Sequence, residues 1–214
     1  MRVVIAGGHG KIALRLAPLL RDRGDEVRSI IRNEDHTDDV RAAGAEPVLC
    51  DLEAAGPAEV ASAVGPADAV VFAAGAGPGS GSARKETMDY GGAVKLIEAA
   101  KANGVPRYVM ISSVGADASA PGDDTFAVYV RAKGRADEDL MKSGLDYTIV
   151  RPTRLTDEPG DGRIRVSDHV GRGTVPREDV AATIAATLHE PTTVGKLFEL
   201  TDGDLPIEDA LRGL

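Results

Sequence analysis

The chain has 214 residues, 43% hydrophobic and 28% charged, and is therefore long enough to bury one substantial core. Its net charge of -9 argues against a protein that binds nucleic acid, because such binding depends on clustered lysine and arginine. One cysteine, Cys50, and four scattered histidines exclude an internal disulfide and a metal-ligand cluster. Without a secretory leader or an apolar run of about 18 residues, the sequence predicts a cytoplasmic protein with no membrane partner.

Strands and helices alternate along the chain. Arg2–Ala6 is a short β-branched run that ends in glycine. Residues 11–24 space their apolar side chains at helical intervals, although Pro18 removes one helical hydrogen bond. The same patterns predict strands at 26–32, 45–51, 68–75, 105–113 and 145–152, and helices at 35–44, 58–64, 87–104 and 125–143. This alternation predicts an α/β fold of the Rossmann type, with a doubly wound parallel sheet.

Two segments interrupt the alternation. Residues 73–85 are rich in glycine and serine and predict a mobile loop, which places Ala73, Ala74 and Gly75 beside the carboxyl ends of the strands, where ligands bind in such sheets. Residues 153–173 predict loops and short strands, followed by a helix at 177–190, a strand at 195–203 and a helix at 206–214. We expect a single domain at 1–214 with a small substrate-side lobe at about 153–214.

The stretch GGHGKIA lies between the first strand and the first helix. Gly7, Gly10 and Ala13 fit the spacing G-x-x-G-x-x-[GA], which lets the backbone approach a pyrophosphate at the helix amino terminus. In a chain with 25 glycines the spacing also fits a structural turn, but its position favours a nucleotide site. Lys11 could contact a phosphate or point to water. The predicted cofactor-binding loop comprises Gly7, Gly8, His9, Gly10, Lys11 and Ile12.

The ends of the second and third strands bear on which dinucleotide binds. Enzymes that prefer NAD usually carry an acidic residue after the second strand, whereas this strand ends in Arg32, whose guanidinium suits a 2′-phosphate. Arg32 therefore favours NADP(H) over NAD(H), although a solvated surface arginine would fit the same position. Asp51 and Leu52 follow the third strand near the expected adenine position, where Asp51 could equally cap a helix.

A second group of polar residues follows the fifth strand. Ser112 and Ser113 stand at its carboxyl end, and Tyr129 and Lys133 follow one helical turn apart on one helix face. They could also be ordinary surface residues of a helix, with Ser113 capping a turn. Their order after the glycine loop favours a joint chemical role.

In this order the motifs resemble the short-chain dehydrogenase/reductase superfamily, and more closely its short atypical NAD(P)H-binding, NmrA-like branch. The segments GGHGKIA, CDL, ISSVGA, YVRAKGRAD, SGLDYTIVRPTRLTDEPG and VPREDVA match the pattern of that branch over nearly the whole chain. The resemblance implies NADP(H) binding and a catalytic triad of Ser113, Tyr129 and Lys133. It also implies that Lys133 bonds the nicotinamide ribose and that Pro152 lines the nicotinamide pocket.

These residue types suit oxidoreduction. Tyr129 would exchange a proton with the substrate oxygen, the ammonium of Lys133 would favour its phenolate, and Ser113 would hold that oxygen. We expect an NADP(H)-dependent oxidoreductase of a small carbonyl, quinone or related substrate, which is a monomer or a small homo-oligomer. The alternative is a non-catalytic NADP(H)-binding protein that senses redox state or assists assembly. A sugar-nucleotide epimerase is disfavoured, because the tail leaves little room for a nucleotide sugar.

Overall fold

The β-branched runs of the sequence form the strands of the computed structural model, which describes residues 1–77 and 79–214. The three runs in the middle of the main sheet are almost entirely buried, which explains why they read as continuous apolar stretches. The strands are β1 Arg2–Ala6, β2 Glu26–Ile31, β3 Glu46–Leu49, β4 Ala69–Phe72, β5 Arg107–Ile111, β6 Asp146–Pro152, β7 Arg154–Thr156, β8 Arg163–Ser167, β9 Thr174–Pro176, β10 Lys196–Asp202 and β11 Leu205–Pro206.

The main sheet has the order β3-β2-β1-β4-β5-β6-β10-β8-β11. The strands from β3 to β10 are parallel to their neighbours, and β8 turns antiparallel to β10. Chain order reverses between β1 and β4, and such a switch point opens a crevice at the carboxyl ends of the strands. The predicted Rossmann-type parallel sheet is confirmed.

Helices cover both faces of this sheet. The helices are α1 Ala13–Asp22, α2 Thr37–Ala42, α3 Pro57–Val64, α4 Ser82–Arg84, α5 Ala93–Ala102, α6 Thr125–Met141, α7 Arg177–His189 and α8 Ile207–Arg212. Buried side chains of α1, α7 and α8 pack on one face, and those of α3, α5 and α6 pack on the other. Pro18 lies inside α1, as predicted, where the neighbouring Leu16, Ala17 and Leu20 are buried in the core. No helix within the described ranges is long and apolar enough to cross a bilayer.

The segment predicted as a loop at 73–85 ends in helical structure. Ser82–Arg84 is helical, and Lys85–Gly92 forms a π-helix that continues into α5. The predicted helix at 87–104 therefore begins with wider turns, which bring Lys85 and Asp89 to the buried side. Pro78, within the predicted loop, lies outside the described residues.

The tail beyond Pro152 serves two purposes. β10 extends the parallel sheet beside β6, and α7 packs against α1, so that half of the tail completes the core. The short strands β7 and β9 pair with each other directly after β6, on the carboxyl side of the sheet. Only this second part corresponds to the lobe that the sequence predicts.

Candidate functional site

The glycine loop packs directly against the loop that follows β4. Gly7 has φ +84°, and a Cβ at this position would lie 2.6 Å from the Cα of Ala74. The N–H of Gly10 donates to the carbonyl of Gly7 at 2.8 Å and closes the turn. Across the described chain, the backbone N–H groups of Lys11, Ile12 and Ala13 find no acceptor. These free donors at the start of α1 form a seat for an anion such as a pyrophosphate.

A cavity of about 280 Å³ opens beside this loop, at the carboxyl ends of β1 to β4. Nine predicted cofactor residues line it: Gly7, Gly8, His9, Gly10, Arg32, Leu52, Ala73, Ala74 and Gly75. Sequence reasoning missed six others: Ile30, Ile31, His36, Cys50, Arg84 and Met88. Cys50 is buried, and burial raises the pKa of its thiol. Ile30 and Ile31 end β2 and could have been inferred from the strand, whereas Arg84 follows a glycine-rich loop that carries no spacing signal.

The remaining predicted cofactor residues lie outside the lining of this cavity. The Lys11 ammonium forms an ion pair with Asp157 at 2.6 Å, which is neither of the contacts considered for it. Ile12 packs against the core, and Asp51 accepts the N–H of Glu53 at 2.9 Å within a turn. Asp51 caps no helix, because the next helix, α3, begins at Pro57 and has Gly56 as its N-cap.

Two arginines reach the cavity and share one carboxylate. Arg84 donates to both carboxylate oxygens of Glu53, with the shortest contact at 2.7 Å, and Arg32 lies 3.6 Å from the same group. Hydrogen bonds from Arg84 hold the pKa of Glu53 below its usual value. The result is an anchored cluster of two guanidinium groups and one carboxylate, with one net positive charge, at the cavity wall.

Two imidazole rings stack at the rim of the same cavity. The rings of His9 and His36 are 3.6 Å apart and nearly parallel, with an interplanar angle of 8°. Nε2 of His9 lies 2.8 Å from the Asp39 carboxylate. This stack ties the glycine loop to the segment after β2 and places polar ring edges near Arg32.

Of the three residues of the predicted triad, Ser113 follows β5 and Tyr129 and Lys133 lie on α6, and their contacts differ. Ser113 is half-buried, and its hydroxyl makes a long contact of 3.3 Å with the carbonyl of Val114. Tyr129 is half-buried, and the ammonium of Lys85 lies 5.2 Å from its ring centroid. Within the described ranges, neither hydroxyl donates to the other.

Lys133 is buried and lies between β5 and the π-helix. Its ammonium donates to the carbonyl of Ile111 at 3.1 Å and lies 3.6 Å from Asp89 Oδ1. Asp89 also accepts the N–H of Ala76, in the loop after β4. Lys133 therefore joins the end of β5 to the segment that borders the cofactor cavity. The ammonium that lies over the Tyr129 ring is that of Lys85 and not, as the sequence predicts, that of Lys133, because Ile111 and Asp89 hold Lys133 at the end of β5.

A buried polar network that the sequence did not reveal lies behind Ser113. Asp137 accepts hydrogen bonds from Ser112 Oγ at 2.8 Å and from Arg151 Nε at 2.9 Å, which connects α6 to β5 and β6. Burial raises the pKa of Asp137 despite the neighbouring positive charges. This network orients the two strand ends that carry Ser113 and Pro152.

A second cavity, of about 600 Å³, opens at the carboxyl ends of β5 and β6. Its wall begins at Val114, directly after Ser113, and at Thr153, directly after Pro152. The opposite wall is part of the lobe and includes Arg172 and His169. The two cavities therefore lie side by side at the carboxyl ends of the strands. The triad residues lie after β5 and on α6, next to the second cavity.

Comparison with known proteins shows which family the chain belongs to. A family model described as NAD(P)H-binding matches residues 7–191, most of the chain and all of the glycine loop. The chain belongs to this NAD(P)H-binding family. A nicotinamide dinucleotide is therefore its cofactor, and the model agrees with the atypical reductase branch that the motifs resemble.

Relatives of this family member match it from end to end. A Bacillus subtilis protein called the uncharacterized sugar epimerase YhfK is 40% identical, with 100% of each chain covered. A Bacillus halodurans structure, called a putative NAD-dependent epimerase/dehydratase, is 39% identical with a TM-score of 0.91 and 100% coverage of both chains. ChuY, an anaerobillin reductase from Escherichia coli, is 26% identical with a TM-score of 0.79, covering 96% of this chain and 98% of its own. The chain is thus similar to both reductase-like and epimerase-like proteins of the oxidoreductase type.

Proposed function

We propose that this protein is an NADP(H)-dependent oxidoreductase that acts on a small carbonyl, quinone or related substrate. The observation that carries the proposal is the placement of two cavities along one sheet edge, one beside the dinucleotide loop and one beside Ser113. Such an edge brings a bound nicotinamide and a substrate together at the carboxyl ends of the strands.

The charges of the cofactor cavity support NADP(H) over NAD(H). Arg32 and Arg84 supply two guanidinium groups, and Glu53 neutralises only one of them. A 2′-phosphate carries more than one negative charge and accepts bidentate hydrogen bonds from such groups. His36, which lines the same wall, offers a further ring N–H.

The triad residues fit the proposed chemistry. When bound, NADPH supplies the hydride that adds to the carbonyl carbon. Tyr129 donates its hydroxyl proton to the carbonyl oxygen, which yields the alcohol, and regains a proton from water. Ser113 donates a hydrogen bond to the same oxygen and stabilises its developing charge. The ammonium of Lys85 lies over the Tyr129 ring and stabilises the phenolate until Tyr129 regains its proton.

Lys133 keeps one donor for the cofactor in this scheme. An ammonium group has three N–H donors. The carbonyl of Ile111 accepts one of them, whereas the carboxylate of Asp89 lies 3.6 Å away, beyond hydrogen-bond distance. A donor therefore remains for a ribose hydroxyl. The fixed position of this group then sets the distance between the ribose and the end of β5.

Replacement of Tyr129 tests the mechanism. In Tyr129→Phe, kcat for NADPH oxidation with a carbonyl and quinone panel should fall by about 100-fold or more, because the proton donor is lost. The Kd for NADPH should not change. Tyr147→Phe is the matched control, because Tyr147 lies near the start of β6, at the other edge of the sheet. An unchanged kcat in Tyr129→Phe would contradict the proposed proton transfer.

A non-catalytic NADP(H)-binding protein is the second candidate. The engagement of Lys133 by Asp89 and Ile111 favours it, since an ammonium so held is less able to reorganise around a substrate. Fluorescence titration with NADPH is undisturbed by protein tryptophan, because the chain has none. Tight NADPH binding without turnover of any carbonyl or quinone in the panel would support this candidate. Turnover at about 1 per second or faster would exclude it.

The names of two relatives raise epimerisation as a further reaction of the same site. An epimerase returns the hydride to the substrate from which it came, so that no NADPH is consumed overall. Net oxidation of NADPH, with an equal amount of reduced product, therefore separates the proposed reductase from an epimerase.

A further inference from the structure

The second cavity contains an unusual set of charges. Its wall includes Arg154, at the start of β7, and Arg172, in the segment between β8 and β9. Over residues 1–77 and 79–214, neither guanidinium donates a hydrogen bond or forms an ion pair, whereas every other arginine does at least one of these. In a chain with 34 acidic and 25 basic side chains, acidic partners are abundant. The two arginines without one nevertheless line the same cavity.

Contacts with a buried carboxylate fix the position of the cavity wall that carries Arg172. Glu199 on β10 is buried, and its Oε2 accepts the N–H of Val170 at 2.8 Å. The same oxygen lies 3.3 Å from Nδ1 of His169, which also lines the cavity. Glu199 therefore fixes the segment around His169 and Val170. The guanidinium of Arg172 pairs with no carboxylate of the described chain.

Close packing fixes the end of this wall as well. A Cβ at Gly173 would lie 2.3 Å from Oγ1 of Thr201, so that this position accepts no side chain without a shift. Oγ1 of Thr201 also contacts Oγ1 of Thr153, which lines the opposite wall. The two walls that carry the arginines are therefore joined through Thr153 and Thr201.

We propose that this cavity binds an oxyanionic group of the substrate, a carboxylate or a phosphate, through Arg154 and Arg172. The inference rests on the proposed oxidoreductase function, in that the bound anion belongs to the molecule whose carbonyl reaches Ser113. Val114 and Gly115, which follow Ser113 in the chain, line the same cavity as the two arginines. One substrate can therefore place its carbonyl at Ser113 and its anionic group at the arginines, at opposite ends of the molecule. Guanidinium groups suit this task because their planar donors match the geometry of oxyanions.

A matched substrate pair tests the inference in turnover. 4-Acetylbenzoate and its methyl ester carry the same ketone at the far end of the ring from the carboxyl group, but only 4-acetylbenzoate is an anion. With NADPH, wild-type protein should show a higher kcat/KM for 4-acetylbenzoate, and Arg154→Gln and Arg172→Gln should each reduce that preference about tenfold. Arg154→Lys and Arg172→Lys should retain part of it. The control Arg41→Gln alters an exposed arginine of α2 and should leave the preference unchanged.

Binding without turnover separates this inference from the proposed reaction. Phenyl phosphate and benzoate are titrated into ¹⁵N-labelled protein with NADP⁺ present, and amide shifts are followed. We expect shifts at Gly115, Gly171 and Gly173, and a Kd that rises about tenfold in Arg154→Gln and Arg172→Gln. The stronger of the two probes identifies the class of oxyanion.

The two experiments have distinct failures. Absence of turnover with both ketones, together with probe binding that depends on the arginines, contradicts the proposed reaction and retains the anion site. A Kd that is the same in wild-type protein and in both glutamine variants overturns the anion site, whatever the turnover. A preference for 4-acetylbenzoate over its methyl ester that is the same in wild-type protein and in both glutamine variants does so as well.

Discussion

The two cavities at the carboxyl ends of the strands differ in how their arginines are paired. In the cofactor half, Arg32 and Arg84 are held by Glu53 around a cavity of about 280 Å³. In the other half, Arg154 and Arg172 have no partner in the described chain and line a cavity of about 600 Å³. A site whose ligand does not vary can be preorganised by protein contacts, because the same geometry serves every turnover. Arg154 and Arg172 are exposed and solvated, and a bound anion would replace that water, so the proposed anion site is where we expect substrate specificity to reside.

The largest expected effect comes from the carboxylates that hold arginines. Asp137 is 1% exposed and holds Arg151, whereas Glu53 is 19% exposed and holds Arg84. Asp137→Ala leaves the partly buried guanidinium of Arg151 and the buried hydroxyl of Ser112 without their carboxylate partner and should lower the free energy of unfolding by about 3 kcal/mol. Glu53→Ala should lower it by about 1 kcal/mol or less. Urea unfolding measures both, and equal losses would show that the two networks do not differ in burial energy.

The next effect concerns the turn of the glycine loop. Gly7→Ala places a Cβ 2.6 Å from the Cα of Ala74 at a positive φ, and should destabilise the protein by roughly 2–3 kcal/mol and abolish most NADPH binding. Gly104→Ala is the control, because Gly104 has φ +65° but no atom within 4 Å of its Cβ position. It should cost about 1 kcal/mol and leave NADPH binding intact. Normal NADPH affinity in Gly7→Ala would refute the assignment of the loop.

Selectivity for the cofactor should change by about an order of magnitude. Arg32→Gln removes a guanidinium from the cavity wall and should raise the Kd for NADPH about tenfold while that for NADH stays constant. Arg84→Gln should act in the same direction. Fluorescence titration measures both constants, with Arg41→Gln as the control. Equal affinity of the wild-type protein for NADPH and NADH would remove the case for Arg32.

The smallest effect is expected at the ion pair that links the two halves. Lys11 on the glycine loop contacts Asp157 in the lobe, and both side chains are largely exposed. Because water and salt screen such pairs, Lys11→Gln should not shift the urea midpoint measurably and should change the Kd for NADPH by less than about twofold. A tenfold loss of NADPH affinity would instead indicate that Lys11 turns to the phosphates when the cofactor binds.

Local sequence was sufficient for the first half of the site. The strand, the glycines and the helix that form the anion seat are consecutive in the chain, so that their spacing alone predicts their contacts. Arg32 was found because it ends a strand adjacent to that turn. Arg84 was missed because it reaches the same wall from α4, more than fifty residues after Arg32 in the chain.

The α/β order, the parallel sheet and the dinucleotide loop were thus determined by the sequence itself, because hydrophobic periodicity and glycine spacing are local properties. Only the tertiary structure decided that Lys133 contacts Asp89, that Asp137 connects α6 to two strands, and that Arg154 and Arg172 share one cavity. These contacts join segments that are distant in the chain, and burial and sheet order bring them together. The order of neighbouring residues in the chain does not determine which charged side chains will form ion pairs after folding.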